Sequence, residues 1–119
     1  MPLKRAIPAP TKAEARIHGL MRSGPCPLCA ARGLETPVAE IHHARDYGRQ
    51  ISQRHVIPLC LWHHRGIQAD GVGELEMLGR FGPSIHRHSR PWKEEWGTEK
   101  EFAEWLWAKY ETEAAEIVG

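Results

Sequence analysis

In the stretch IPLCLWHHRG, residues 57–66, two residues separate a cysteine from a pair of adjacent histidines. Cys60 and His63 have the Cys-x-x-His spacing of one half of a zinc site. If a helix begins at Leu61, the side chains of His63 and His64 point about 100° apart, because a helix turns once about every 3.6 residues. Two imidazoles directed in this way do not converge easily on one ion. We therefore predict that His63 and His64 belong to two different metal centres.

The other half of the first centre lies in the sequence CPLC, residues 26–29. Two thiolates at this spacing can reach one ion from a single tight turn. Cys26, Cys29, Cys60 and His63 together form the ligand set of a closed, tetrahedral structural zinc site. An odd number of cysteines argues against a disulfide framework. The alternative is that the three cysteines are buried structural residues and that the histidine lies on the surface.

Size and charge restrict the class of protein. A chain of 119 residues fits one small domain with a modest core, which a structural metal can supplement. Residues 1–54 hold nine Lys/Arg and four Asp/Glu, whereas residues 55–119 hold seven and eleven. A basic first half suits a polyanionic partner, although solvated surface charge also explains it. No apolar run approaches the ~18 residues that span a bilayer, and the N-terminus lacks the apolar region of a signal peptide, so we expect an intracellular protein without a membrane partner.

Local signals place helices on both sides of a short hairpin. Thr11 and Glu14 form a capping box for a helix that ends near Met21. The segment VAEIHHA (38–44) and the segment HVIPL (55–59) read as two strands, with a turn at Gly48.

The second half of the chain begins with a short helix that runs from Leu61 to about Gly66. A long glycine-rich loop over residues 66–83 follows, with one helical turn at GELEML. A last helix, capped by Thr98 and Glu101, then continues to about Ile117. It carries core residues at helical spacing, namely Phe102, Trp105, Leu106 and Tyr110. One α+β domain is the simplest architecture, and the other tryptophans are expected to pack in its core.

A second pair of adjacent histidines, His42 and His43, lies near the end of the first predicted strand. Successive strand residues point to opposite sides, so this pair can straddle a bound group. One imidazole can bind a metal while the other contacts a water molecule. A hairpin followed by a helix, with histidines on both, is the minimal frame of a nuclease metal site.

At this point the sequence resembles the HNH (ββα-metal) endonucleases. The matching segments are IHHAR (41–45), His55 in a position that is usually Asn, and PLCLWHH (58–64). His63 stands where many members have a second cysteine, and His55 replaces the middle Asn, which usually orients the first-strand histidine through its backbone. The resemblance implies a small zinc-stabilised ββα-metal (HNH-like) domain with flanking helices over residues 23–119. Residues 1–22 would form a basic N-terminal arm and short helix.

Within that family, the chain is most similar to phage recombination-enhancement (Ref-like) nucleases, which depend on a recombinase. The likeness runs from about Cys26 to Tyr110 and includes the ending IHRHSRPWKEEWGT, residues 85–98. It implies that His43 is the general base and that His42, His64 and His86 hold a catalytic divalent ion. His88 is the main rival to His86. His55 is included among the catalytic residues, with the role of its side chain left open.

The resemblance further implies a metal-dependent DNA endonuclease in the cytoplasm of a bacterial host cell, encoded by a phage or prophage. The catalytic ion would be Zn²⁺, Mg²⁺, Mn²⁺ or Ni²⁺, and the partners would be DNA and a recombinase filament. Four arginines are candidates to hold the DNA backbone, namely Arg45, Arg49, Arg54 and Arg65. One alternative is a non-catalytic zinc module that binds DNA or protein, and another is a toxin-type nuclease paired with an immunity protein. A second ion near His42, His64 and His86 would separate the nuclease from the zinc module.

Overall fold

The computed structural model describes residues 7–118. Within this range the chain forms six α-helices and four short strands, which confirms the predicted α+β class. In chain order they are α1 Lys12–Ser23, α2 Pro27–Ala30, β1 Glu40–His43, β2 Arg45–Asp46, β3 Arg49–Gln50, β4 Val56–Leu59, α3 Leu61–Arg65, α4 Glu74–Phe81, α5 Ser89–Trp96 and α6 Glu99–Val118. None of these helices is long and apolar enough to cross a membrane.

The site is built on an antiparallel pair of strands, β1 and β4, which is followed directly by helix α3. His42 lies opposite Ile57, and all four residues of β4 are buried. Pro58 lies inside β4. The backbone oxygens of His55 and Leu59 accept hydrogen bonds from the β1 side, so Pro58, which alternates with them, directs its missing N–H to the free edge. The order β1, β4, α3 agrees with the predicted ββα frame.

A second, smaller hairpin lies between β1 and β4 in the sequence. Strands β2 and β3 pair through Arg45–Gln50 and Asp46–Arg49, and they are joined by Tyr47 and Gly48. The turn predicted at Gly48 is present, and β2 packs against α6. All four residues of the two strands are exposed, so this hairpin projects from the domain.

Both predicted capping boxes are present. In α1, the backbone N–H of Glu14 donates to Thr11 Oγ1 and that of Thr11 donates to Glu14 Oε1. In α6, the backbone N–H of Glu101 donates to Thr98 Oγ1 at 3.1 Å. Helix α1 packs against β1 and α6. The separation of residues 1–22 as an arm stays a prediction, and its first six residues lie outside the described range.

The apolar side chains confirm most of the predicted core. Trp62, Trp92 and Trp107 are buried, but Trp105 is 60% exposed, so its predicted core position is wrong. The buried stripe of α6 runs along Phe102, Ala103, Leu106, Trp107 and Tyr110. Trp105 lies about 100° around the helix from Leu106 and falls outside this stripe.

The region predicted as a long glycine-rich loop contains the eight-residue helix α4. Its flanking glycines, Gly73 and Gly82, lie at its two ends, so they delimit the helix rather than interrupt it. Met77 faces the core and is buried, which stabilises the helix despite its weak sequence signal. The eight-residue helix α5, also not delimited from the sequence, buries Trp92 completely.

Candidate functional site

The four predicted ligands of the first centre lie together, and we call them the cysteine cage (Cys26, Cys29, Cys60 and His63). His63 Nδ1 is 3.6, 3.4 and 3.3 Å from the Sγ atoms of Cys26, Cys29 and Cys60, and the last two sulfurs are 3.8 Å apart. A tetrahedral zinc ion with bonds of about 2.3 Å to sulfur and about 2.0 Å to nitrogen separates sulfur pairs by about 3.8 Å and sulfur–nitrogen pairs by about 3.5 Å. All four residues are buried. The cysteine cage therefore has the dimensions of a structural metal site.

The protonation of the cysteine cage suits a cation. Hydrogen bonds from Cys29 and Cys60 lower the pKa of the Cys26 thiol. The hydrogen bonds of Cys29 with Cys26 and Cys60 raise the pKa of the Cys29 thiol. Burial alone would lower the pKa of His63, but hydrogen bonds with Cys26 and Cys60 outweigh it and raise the pKa to about 9. The buried sulfurs thus stabilise positive charge at their centre, which is the property that a metal-binding thiolate cluster requires.

A backbone carbonyl fixes the orientation of His63. Its Nε2 lies 2.7 Å from the backbone oxygen of Phe81, at the end of α4. Because a carbonyl only accepts, Nε2 carries a proton, so Nδ1 is the nitrogen that faces the three sulfurs and that would bind an ion on losing its own proton. The turn after Leu61 separates the neighbours as predicted, since His63 belongs to the cysteine cage and His64 faces His42.

His42 and His64 form a second cluster outside the cysteine cage. His42 Nδ1 and His64 Nε2 are 3.2 Å apart. Each far nitrogen meets a carboxylate, since His42 Nε2 is 2.7 Å from Glu99 Oε1 and His64 Nδ1 is 2.9 Å from Glu40 Oε1. Arg65 lowers the pKa of Glu40, and the hydrogen bond from His42 lowers that of Glu99 against the opposing effect of burial, so both carboxylates are ionised.

This arrangement directs two lone pairs at each other. The carboxylates accept the N–H of each ring, so in neutral imidazoles His42 Nδ1 and His64 Nε2 carry lone pairs. Lone pairs at this separation repel unless a metal ion, or a proton on one of the two nitrogens, lies between them. Two nitrogen ligands of one ion with bonds of about 2.0–2.1 Å are about 3.0–3.4 Å apart, which matches the 3.2 Å found here. A carboxylate on the far nitrogen is also the usual support of a metal-binding histidine.

The cluster opens into a pocket of about 590 Å³, which we call the histidine pocket. The residues that line it are His42, Arg45, His64, Arg65, Ile85, His86 and Glu99. The backbone N–H of Ile85 donates to the backbone oxygen of His63 at 2.8 Å, which ties this segment to α3. The three histidines predicted to hold the divalent ion therefore line one pocket, with His86 exposed.

His88, the rival to His86, is engaged elsewhere. Its Nδ1 accepts from the backbone N–H of Ser84 at 3.1 Å, and its Nε2 is 3.1 Å from Glu74 Oε1. With both ring nitrogens occupied, His88 has no free ligand atom. It also lies against Trp62, with ring centroids 5.6 Å apart, so His88 packs into the fold.

His43 extends from the other face of β1 and is not among the residues that line the histidine pocket. Its Nε2 lies 2.9 Å from Gln53 Oε1. The same Gln53 donates from Nε2 to the backbone oxygen of Pro8, and its own backbone oxygen lies 2.7 Å from Nε2 of His18. His18 is itself buried, at 4% exposure. Gln53 thus fixes the His43 ring and leaves its Nδ1 as the basic nitrogen.

His55 also lies apart from the histidine pocket. Its Nδ1 is 2.7 Å from Ser52 Oγ and its Nε2 is 2.9 Å from Glu104 Oε2. Its backbone oxygen accepts from the N–H of Ala44, next to His43. The backbone of His55 therefore holds the end of β1 through Ala44, whereas both nitrogens of its side chain are occupied by hydrogen-bond partners.

The four candidate arginines have different surroundings. Arg45 and Arg65 line the histidine pocket, and Arg65 also binds both oxygens of Glu40. Arg49 is exposed on the β2–β3 hairpin. Arg54 pairs with Glu14 at 3.1 Å and lies over Trp107, on the side of α1.

A protein-family model described as recombination enhancement, RecA-dependent nuclease matches residues 10–111. The chain belongs to this family. The match supports the predicted Ref-like resemblance and extends it to include α1. No curated protein matches the chain. Membership of the RecA-dependent nuclease family indicates nuclease activity in recombination, with DNA as the substrate.

For this member of the RecA-dependent nuclease family, sequence reasoning missed three supporting residues. Glu40 lies two positions before His42, and strand alternation could have placed both on one face. Glu99 contacts His42 although the two residues are 57 positions apart in the sequence, and no local sequence pattern predicts that contact. Gln53 lies in the irregular segment before β4, where no periodic pattern applies.

Proposed function

We propose that the chain is a metal-dependent, HNH-type DNA endonuclease that hydrolyses phosphodiester bonds during RecA-dependent recombination. The observation that carries the proposal is the pair of facing nitrogens of His42 and His64, 3.2 Å apart and each backed by a carboxylate. A zinc module that only binds DNA or protein needs no second cluster of this kind. Family membership favours the recombination setting over that of a toxin.

The two facing nitrogens of His42 and His64 suit a divalent ion, and His86 is the proposed third ligand. His42 and His64 supply two nitrogens and His86 lines the same pocket, while Glu99 and Glu40 orient the first two rings. Imidazole ligands suit Zn²⁺ and Ni²⁺, whereas Mg²⁺ and Mn²⁺ favour oxygen ligands. When bound, such an ion supplies positive charge that offsets the phosphate oxygens and stabilises the leaving 3′ oxygen.

His43 is the proposed general base. His43 follows His42 in β1 but does not line the histidine pocket, so the proposal requires the attacking water to lie at the end of β1, between the phosphate and the His43 ring. Gln53 Oε1 accepts the proton of His43 Nε2, which leaves Nδ1 to take a proton from that water. This is the relation in which a neighbouring acceptor holds a catalytic histidine in its reactive tautomer. The side chain of His55 takes no part in the proposed chemistry, since Ser52 and Glu104 occupy both of its nitrogens.

Arg45 and Arg65 are the arginines proposed to bind the phosphates beside the reacting bond, because they line the histidine pocket. Glu40 holds Arg65 through two hydrogen bonds and touches His64 as well. A phosphate that binds Arg65 therefore lies next to the proposed ligand His64. Arg49, exposed on the β2–β3 hairpin, is proposed to contact DNA further from the reacting bond, whereas Arg54 is engaged with Glu14.

Metal removal tests the proposal. Metal-stripped protein given one equivalent of Zn²⁺ should refold, because the cysteine cage binds first, and should cleave plasmid DNA slowly or not at all in the presence of RecA. A further divalent ion, tested in turn as Zn²⁺, Mn²⁺, Ni²⁺ and Mg²⁺, should restore cleavage. Gel electrophoresis measures the product, and circular dichroism checks the fold. Full cleavage with one equivalent, or none with any ion and RecA, contradicts the proposal.

A further inference from the structure

The tip of the β2–β3 hairpin has an unusual composition. Tyr47 and Gly48 both have positive φ, 51° and 76°, as in a two-residue type I′ turn. Among residues 7–118, Tyr47 is the one non-glycine residue with positive φ. Its side chain is 97% exposed, so the aromatic ring makes almost no contact with the rest of the chain.

Folding gives no reason for tyrosine at this position. The first residue of a type I′ turn is most often Asn or Asp, whose short polar side chains tolerate the left-handed conformation. An aromatic ring there is disfavoured, and at 97% exposure Tyr47 gains no burial in return. Tyr47 departs from the residue preference of the turn and makes no contact within the chain that would compensate for it. Such a departure suggests that the ring contacts another molecule.

The hairpin is fixed to the histidine pocket at its base. The backbone N–H of Arg45 donates to Glu99 Oε1 at 3.1 Å, and that same oxygen lies 2.7 Å from His42 Nε2. Tyr47 lies two residues beyond Arg45, which is about 7 Å along a strand. That distance corresponds to roughly two nucleotides at the spacing of stacked bases.

Charge at the hairpin suits a nucleic-acid strand. Within the part of the chain that the structure describes, neither Arg45 nor Arg49 forms an ion pair with a carboxylate. Both are exposed and lie on either side of Tyr47. The Arg45 guanidinium donates to the backbone oxygen of Gly48 at 3.4 Å but keeps its charge without a carboxylate partner. A flat aromatic ring between two such guanidinium groups offers stacking for a base and charge for the backbone on either side of it.

We propose that Tyr47 stacks on an unpaired base of the DNA strand whose phosphate lies in the histidine pocket, while Arg45 and Arg49 contact the adjoining backbone. A base inside a continuous duplex has both faces covered, so the ring needs a base that is unpaired or displaced. Stacking tolerates any base, so the contact fixes the position of the strand relative to the pocket without selecting a sequence. The inference rests on the proposed function in one respect, namely that DNA occupies the pocket.

The replacement Tyr47→Asn tests this proposal without harming the turn. Asn followed by Gly is a preferred type I′ pair, so the melting temperature should equal or exceed that of the wild type. Binding is measured with a single-stranded oligonucleotide that carries 2-aminopurine, whose fluorescence falls when an aromatic ring stacks on it, with no divalent ion added. Wild-type protein should quench the probe, and Tyr47→Asn should abolish the quenching and raise Kd about 10-fold.

Two further variants control the experiment. Tyr47→Phe keeps the ring and should keep both quenching and affinity, and Leu75→Ala, which alters an 85% exposed residue on α4, should match the wild type. Wild-type quenching and affinity in Tyr47→Asn would overturn the proposal, as would equal losses in Tyr47→Asn and Tyr47→Phe, which would point to the hydroxyl. The binding measurement needs no hydrolysis. A wild-type protein that stacks on the probe but never cleaves DNA would refute the proposed function and leave this inference standing.

Discussion

Replacing His43 with alanine is expected to lower the rate of DNA cleavage by about 10²- to 10⁴-fold, which is the usual contribution of a general base. The alanine cannot accept the proton of the attacking water. The cysteine cage and the His42–His64 cluster do not involve the His43 side chain, so the metal content and the fold should be retained. Single-turnover cleavage of plasmid DNA with RecA and saturating metal measures the effect.

His55→Ala is the matched control for this experiment. His43 lies opposite Val56 across the β1–β4 pair, and His55 directly precedes Val56, so the two histidines are close in the hairpin. The His55 ring, however, is held by Ser52 and Glu104 and has no free nitrogen. We expect His55→Ala to change the cleavage rate less than about 10-fold, well below the effect of removing a general base. A wild-type cleavage rate in His43→Ala would show that His43 is not the general base. His86, which lines the pocket, would then be the next candidate for that role.

The second large effect is expected from Cys29→Ser. Cys29 is fully buried, and its Sγ lies 3.4 Å from His63 Nδ1 and 3.8 Å from Cys60 Sγ. Serine is a far poorer zinc ligand, and the binding free energy of a structural zinc ion is also folding free energy. We expect the melting temperature to fall by at least about 10 °C, which for a domain of this size corresponds to roughly 3 kcal/mol.

Chelation provides the control for the stability measurement. Wild-type protein with excess chelator should melt near the temperature of Cys29→Ser, and the chelator should shift the variant little. Thermal unfolding followed by circular dichroism records all four curves. Coincident curves for variant and wild type, with no response to the chelator, would show that the cysteine cage holds no structural ion.

Local sequence signals were sufficient for the cysteine cage and for the separation of the two histidines. The spacings Cys26-x-x-Cys29 and Cys60-x-x-His63 act within single turns, and the divergence of His63 and His64 follows from the pitch of a helix. The same holds for the capping box of Thr98, whose partners lie three residues apart. These features depend on short stretches of chain, where backbone geometry alone decides which side chains meet.

The surroundings of the histidine pocket depend on tertiary contacts, and sequence reasoning missed them. Glu99 reaches His42 because α6 begins beside β1, and nothing near either residue encodes that approach. The exposure of Trp105 depends on which stripe of α6 faces the core. His86 and His88 are two residues apart with similar sequence surroundings, and only the contacts of His88 with Ser84 and Glu74 distinguish them.

Counting bound ions tests the central claim most directly, namely that a chain with one cysteine cage has a separate metal centre at His42 and His64. Equilibrium dialysis against Zn²⁺, followed by elemental analysis, should give two ions per wild-type chain and one per His64→Ala chain, with the melting temperature of the variant maintained by the intact cysteine cage. One ion per chain in both proteins, or two in both, would contradict the account.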